Sequence, residues 1–199
     1  MMREFEKLEE GNYYHIYNRG INCENIFQSP DDYLRFITLF KNYSKDVMDV
    51  FAYSLLKNHF HSLIYLKKDV LVERNDGKGF IRLLASKQLG HMFNSYAQTF
   101  NFNHQRTGSL FESPFKRKVV ELNHHLTSVI LYIHNNAKHH GFVNDFREWP
   151  YTSYHELVGN QPTFLNTDFV IDLFEGKENF IQSHVEYSAL KGLEKWLIE

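Results

Sequence analysis

The chain has 199 residues, a formal net charge of −2 and one cysteine, Cys23. That length suits one well-buried domain with an appendage, and 43% hydrophobic with 16% aromatic residues argues against disorder. A lone cysteine excludes an intrachain disulfide and a thiolate zinc site. No apolar run approaches the ~18 residues that span a bilayer, and residues 1–7 lack the apolar stretch of a signal peptide, so a reducing cytoplasm without membrane association is expected.

Residues 13–18 are rich in β-forming aromatics and stop at Arg19-Gly20, which predicts a first strand. Ser29-Pro30-Asp31-Asp32 reads as a helix start, with Pro30 tolerated in the first turn. Tyr33, Phe36, Ile37 and Phe40 then give the 3–4 spacing of an amphipathic helix ending near Tyr43. Residues 50–56 and 59–66 predict two strands joined at Lys57-Asn58 as an antiparallel hairpin. The second is apolar on both faces (Phe60, Ile64 and Leu66 against Leu63 and Tyr65), as expected of a central strand covered on both sides.

Residues 67–79 are polar with two glycines, the pattern of a mobile connection. Residues 80–100 predict a long helix with Leu84, Met92, Phe93, Tyr96 and Phe100 among its core positions. Residues 101–108 read as a loop, and 110–120 contain a strand ending Lys116-Arg117-Lys118-Val119-Val120. The next helix opens after Glu121, turns Leu122, Leu126, Val129, Ile130, Ile133 and Ala137 inward, and stops at Gly141. From Trp149 the pattern breaks into short pieces, punctuated by Pro150 and Pro162, before a final amphipathic helix over about residues 185–197. The order β-α-β-β-α-β with added helices predicts an α+β fold: a ferredoxin-like, RRM-like antiparallel sheet with packed helices, an extra tyrosine-bearing helix and a C-terminal helical extension. That architecture hosts many functions and argues for none.

Chemistry enters at His59-Phe60-His61. Strand side chains alternate with period two, so the two imidazoles share a face and can hold one divalent cation or one phosphate oxygen. Tyr132 and Asn136 lie four apart on one helical face, on a shoulder of the apolar stripe with His125 and His139. If that helix packs across the face carrying His59 and His61, a phenol, an amide and two imidazoles converge. The set suits phosphodiester transesterification. A metal held by His59, His61 and Asn136 polarises a phosphate oxygen, and Tyr132 attacks to give a covalent phosphotyrosine and a free hydroxyl. A neutral phenol of pKa ~10 needs a nearby cation or base. Nitrogen and oxygen ligation favours Mg²⁺ or Mn²⁺, and the phosphotyrosine bond conserves the energy for rejoining, so no nucleotide cofactor is expected.

Residues 11–159 hold 17 basic against 13 acidic side chains and 11 of the 12 histidines, a mildly cationic middle between anionic ends. Lys116-Arg117-Lys118, beside Phe111 and Phe115, combines charge with rings able to stack bases, although a strand divides the three between two faces. Arg19 is a further candidate contact. His15 either lines the site and donates to phosphate or is structural. His125, His134, His139 and His140 are expected at the solvated surface, and Tyr151 and Tyr154 in the packing of the C-terminal extension.

Several segments, in order, carry a resemblance: Tyr14-His15-Ile16-Tyr17-Asn18-Arg19-Gly20, Leu56-Lys57-Asn58-His59-Phe60-His61-Ser62-Leu63-Ile64, Gly108-Ser109-Leu110-Phe111-Glu112, Tyr132-Ile133-His134-Asn135-Asn136 and Trp149-Pro150-Tyr151-Thr152-Ser153-Tyr154. The chain resembles the single-tyrosine HUH transposases, and among them the REP-associated tyrosine transposases. The resemblance implies a catalytic domain over 1–159 and a helical extension over 160–199. It gives His59, His61 and Asn136 the metal-ligand roles and Tyr132 the nucleophile role. It implies action on single-stranded DNA near a hairpin, with a 5′-phosphotyrosine and a 3′-hydroxyl as products, by a monomer or a homodimer. Lys57 stands where the family commonly has proline, and so does Ala137; neither change removes a proposed catalytic atom. The competing class is a ferredoxin-like nucleic-acid-binding module whose histidines are only structural. Such a binder has no need of Tyr132 with Asn136 one turn later.

Overall fold

The computed structural model describes residues 7–74, 76–121 and 124–189. The first strand, β1 (Tyr13–Arg19), leads through a short 3-10 turn to α1 (Pro30–Ser44). Ser29 and Asp32 cap α1 reciprocally: Ser29 Oγ accepts from Asp32 N (3.4 Å) and Asp32 Oδ2 accepts from Ser29 N (2.9 Å). β2 (Met48–Leu56) and β3 (His59–Leu66) form the expected hairpin about Lys57-Asn58.

The connection that follows departs from expectation. Within it β4 (Leu71–Glu73) pairs antiparallel with β5 (Phe80–Arg82) as a separate two-stranded sheet. Phe80 therefore lies in a strand, and α2 runs over Ala85–Asn103 with Leu84 extended at its N-cap (φ −107°, ψ 123°) rather than in its core. Three-residue strands are too short to show a period, so Leu71–Glu73 falls within the expected connection and Phe80–Arg82 within the expected helix. Next come β6 (Lys116–Val120) and α3 (His124–His139). α3 ends in a Schellman turn: Gly141 takes φ +71°, Phe142 N donates to Ala137 O (2.9 Å) and Gly141 N to Lys138 O (3.0 Å). The expected core position Leu122 lies outside the described residues.

Four strands form one antiparallel sheet in the order β2-β3-β1-β6, with β3 and β1 central, the ferredoxin-like arrangement. Residues opposed across an antiparallel ladder share a face. Phe60 and Ile16 therefore face α1 and α2, where Phe36 and Phe93 close on Phe60 at ring separations of 5.0 and 5.6 Å. Burying each such phenylalanine stabilises the fold by ~1.5–3 kcal/mol. The opposite face, crossed by α3, presents His15, Tyr17 and Arg19 against Leu63, His61 and His59, and against Lys118 and Lys116 on the other side.

The C-terminal region supplies a 3-10 turn (Phe146–Glu148), α4 (Tyr154–Val158), α5 (Thr167–Leu173) and α6 (Lys177–Ala189). Before α4 the chain runs along the outer edge of β2. Leu55 N donates to Tyr151 O (2.9 Å), Ser153 N to Tyr53 O (3.0 Å) and Trp149 Nε1 to Leu55 O (2.9 Å), so this edge is covered. Tyr151 stacks on Tyr33 (3.5 Å), and Tyr154 packs against Phe146 and Phe180, the packing roles expected of both. α6 begins before the expected residue 185, and the stretch expected to continue it, 190–197, lies outside the described residues. Val170, Phe174 and Phe180 join the core built on the sheet.

A knot of backbone hydrogen bonds closes the end of β1. Gly20 N donates to Asn58 O (2.9 Å), Ile21 N to Leu110 O (3.0 Å) and Glu112 N to Arg19 O (2.9 Å), while Asn18 Nδ2 donates to Glu112 O (3.1 Å). A Cβ on Gly20 would sit 2.1 Å from Glu24 O, so only glycine passes here. No helix among the described residues is long and apolar enough to cross a membrane.

Candidate functional site

Beneath the side of α3 that carries Tyr132 and Asn136, the central strands hold a group of imidazoles. His59 and His61 stand on one face with their rings perpendicular, 5.2 Å apart. Asn136 Oδ1 lies 3.2 Å from His59 Nε2, and the other ring nitrogen, Nδ1, is 2.7 Å from Asn58 Oδ1. Tyr132 meets His61 edge-on at 5.6 Å and His15 edge-on at 6.0 Å. Tyrosine, both histidines and the amide thus converge, and they do so within one chain.

Behind this group sits His15, 1% exposed, with Nε2 2.9 Å from His61 Nδ1. Two readings were open for His15, lining the site or serving structure, and it does both: it borders the cavity. It is largely enclosed behind His61, whose ring it fixes, leaving Nε2 as the remaining nitrogen of His61. Tyr17 stacks on both rings, at 5.0 Å from His15 and 5.5 Å from His61. In front of the group opens a cavity of about 550 Å³, lined by Tyr17, Arg19, His59, His61, Lys116 and Tyr132, with His140 and Phe142 at its rim. Arg19 forms an ion pair with Glu112, and Lys116 lies 3.9 Å from the same carboxylate.

The basic run of β6 is divided as a strand requires. Lys116 and Lys118 share the cavity face, opposite Tyr17 and His15. Arg117 turns to the other face and lays its guanidinium 4.4 Å from the Phe115 ring centre, so it does not serve the cavity.

Burial sets the protonation of the site. It lowers His15 to about 3, assisted by Lys118, and His59 to about 4, with His140 and Arg19 lowering it further and Asn136 opposing. His61 is pushed well below its ordinary value by burial and by His15, His59 and His140. All three are neutral at physiological pH.

That neutrality bears on whether a cation fits. A neutral imidazole has one proton, yet both nitrogens of His59 face amide oxygens. With the amides so turned, one contact sets a lone pair opposite an oxygen, an arrangement relieved by a cation between them or by turning one amide over. Asn136 Nδ2 is buried without a partner, and turning the amide over only moves the orphan from nitrogen to oxygen. The donors present, two imidazoles and an amide oxygen, fit a divalent ion of the magnesium, manganese or zinc kind. Among the described residues no three His, Cys, Asp or Glu side chains cluster to hold a metal, so the amide is needed to complete a three-ligand set.

No protein-family model matches the chain. Over 110 residues, 54% of this chain, it is 28% identical to a protein of Haemophilus influenzae described as a REP-associated tyrosine transposase. The match spans 59% of that relative's length. A solved REP-associated tyrosine transposase, bound to a REP hairpin, has the same fold at a TM-score of 0.59 and 15% identity, covering 81% of this chain and 89% of its own. The chain is thus similar to one REP-associated tyrosine transposase in sequence over about half its length and to another in fold.

Of the departures from that transposase pattern, Ala137 lets α3 run on for more than half a turn past Asn136, and the helix carries His140 to within 4.7 Å of the His59 ring. His140 is exposed, as expected, and still borders the site. Its place four residues after Asn136 was the available signal, as was the place of Tyr17 two residues after His15. Asn58 sits in a turn and offered none. His125 is exposed as expected. His134 is not: it is fully buried, because α6 packs on the side of α3 turned away from the cavity.

Proposed function

We propose that this protein is a DNA strand transferase of the transposase kind, cleaving and rejoining single-stranded DNA near a hairpin through Tyr132. The reading rests on one observation above all, the convergence of Tyr132, His59 and His61 on a single cavity, with buried Asn136 held against His59. A DNA-hairpin partner is supported by the related transposase of known structure, which is bound to one.

His59, His61 and Asn136 would hold the divalent ion. Such an ion, when bound, draws charge from the phosphate oxygen it touches. The protein's own residues do the rest. Asn58 fixes the tautomer of His59, and His15 fixes the ring of His61. Arg19 and Lys116 line the wall along which a phosphate enters. Tyr132 Oη attacks phosphorus, and the bond to the 3′ oxygen breaks. The strand beyond the break leaves with a 3′-hydroxyl while the 5′-phosphate stays on the tyrosine. His139, outside the ligand set with its ring 6.0 Å from that of Tyr132 and kept neutral chiefly by burial, can accept the phenol proton and pass it to the departing 3′ oxygen. Attack by a 3′-hydroxyl on the phosphotyrosine reverses these steps and reseals a strand. That Tyr132 meets the histidines of its own chain supports action in cis.

Incubation with hairpin-bearing single-stranded oligonucleotides and Mn²⁺ should yield a denaturation-resistant protein–DNA adduct. It should disappear in Tyr132→Phe and on chelation. An adduct that persists in Tyr132→Phe defeats the nucleophile assignment; tight binding without any adduct favours a binding module instead.

A further inference from the structure

A second cavity, of about 620 Å³, lies between α2 and residues 108–115, on the other side of Asn18 and Glu112 from the first. Asn18 lines both, and its side chain is held by Glu112 O at 3.1 Å. The second cavity has aromatic walls, since Phe93 meets Phe111 at 5.6 Å and Phe115 at 5.2 Å. Its rim on α2 carries Asn94 and Gln98, one turn apart on one helical face. Both are exposed and neither has a hydrogen-bond partner among the described residues. Asn101, next along, is by contrast held at both ends, by Gly108 O (2.8 Å) and Arg106 Nη1 (3.1 Å).

Gly90 adds an independent observation. It lies inside α2, where glycine destabilises a helix relative to alanine, and lines the same cavity. No protein atom lies within 4 Å of where its Cβ would be, and its φ is not positive. Neither backbone conformation nor packing within the chain calls for glycine here. What its absent side chain leaves is room.

We infer that this second cavity takes one unpaired nucleobase of the strand whose phosphate occupies the first. Aromatic walls offer stacking surfaces, and a carboxamide sets a donor beside an acceptor, the pattern that matches the N6 and N7 edge of adenine. A phosphate needs cations, and those line the first cavity; a base needs rings and amides, and those line the second. The shared wall at Asn18 and Glu112 is where the strand crosses. The ridge of Asn94 and Gln98 continues to Phe102, 85% exposed, a further ring on which the next base can stack. The inference rests on the strand-transfer reading for its ligand, and its test is separable from it.

The test is fluorescence anisotropy of the full chain, without metal, against labelled octamers of deoxyadenylate, of thymidylate and of abasic deoxyribose phosphate. The wild-type protein should hold the adenine octamer about tenfold more tightly than the abasic one, the effect of one stacked base. Gly90→Leu, which projects a side chain into the cavity, should bring adenine down to the abasic value and leave abasic binding unchanged. Asn94→Ala and Gln98→Ala, on an exposed helical face, should remove the preference for adenine over thymine. They decide the matter even where Gly90→Leu fails to fold. All three variants binding every octamer as wild type does would overturn the inference. An adduct at Tyr132 alongside such a result refutes this cavity alone; base-dependent binding with no adduct refutes strand transfer alone.

Discussion

Two histidine clusters hang from α3, and they differ in where their protons go. On the side facing α6, His184 Nδ1 donates to Phe180 O (2.7 Å), His134 Nδ1 donates to His184 Nε2 (2.7 Å), and Ser153 Oγ donates to His134 Nε2 (2.8 Å). Ser153 Oγ in turn accepts from Tyr53 N (2.8 Å) and also reaches Tyr53 O (3.2 Å), so every hydrogen from α6 to β2 finds an acceptor. On the side facing the sheet, His59 has one proton for two oxygens, and Asn136 Nδ2 and His15 Nδ1 are buried with no partner. The first cluster is complete without anything added; the second is not. A closed network fastens elements together, whereas an open one waits for a ligand.

Truncations two residues apart on one helix should sharpen that contrast most. His134→Ala strands the hydroxyl of Ser153 and a nitrogen of His184, and should lower stability by about 3 kcal/mol in urea titrations. A smaller loss, equal to that of Asn136→Ala, would break the comparison. His15→Ala should leave a folded protein that binds Mn²⁺ about 10- to 100-fold more weakly by calorimetry, the usual effect of removing a residue that orients a ligand.

Acid should attack both clusters. Burial holds His134 and His61 well below their ordinary value of 6.5, His184, His59 and His139 at about 4, and His15 at about 3. The unfolded chain takes up these protons below pH 6.5 and the folded chain does not. Stability is therefore flat above that pH and falls beneath it until the folded values are reached, by at most about 1.4 kcal/mol per pH unit for each histidine. Urea midpoints at pH 7.5, 6 and 5 measure this; a midpoint that rises on acidification contradicts it. The smallest effect belongs to Asn136→Ala, which removes a buried amide with an unpaired nitrogen and should change stability by less than about 1 kcal/mol while abolishing the adduct.

What could be read from the chain beforehand followed from period and spacing. His59 and His61 declare a shared face because strands alternate, and Tyr132 with Asn136 because a helix turns in under four residues. β1, α1 and the β2–β3 hairpin were legible for the same reason. Leu71–Glu73 and Phe80–Arg82 were not, because their pairing partner is each other and three residues carry no rhythm. His134 was misjudged because its burial depends on α6, 50 residues further along the chain. His15 was half legible: its face was given by the strand, but its bond to His61 depends on the pairing of β1 with β3, which no local pattern encodes.

The knot at Gly20 has a mechanical consequence. The same few residues of backbone, Arg19 to Ile21, grip the turn that presents His59 and the segment that walls the second cavity. A methyl group at Gly20 would therefore be felt at both places at once. A loop would let the two cavities drift apart and tolerate strands of varying slack. A joint without a side chain sets a ruler instead; on the strand-transfer reading proposed above, the number of nucleotides between phosphate and base would become a dimension of the protein.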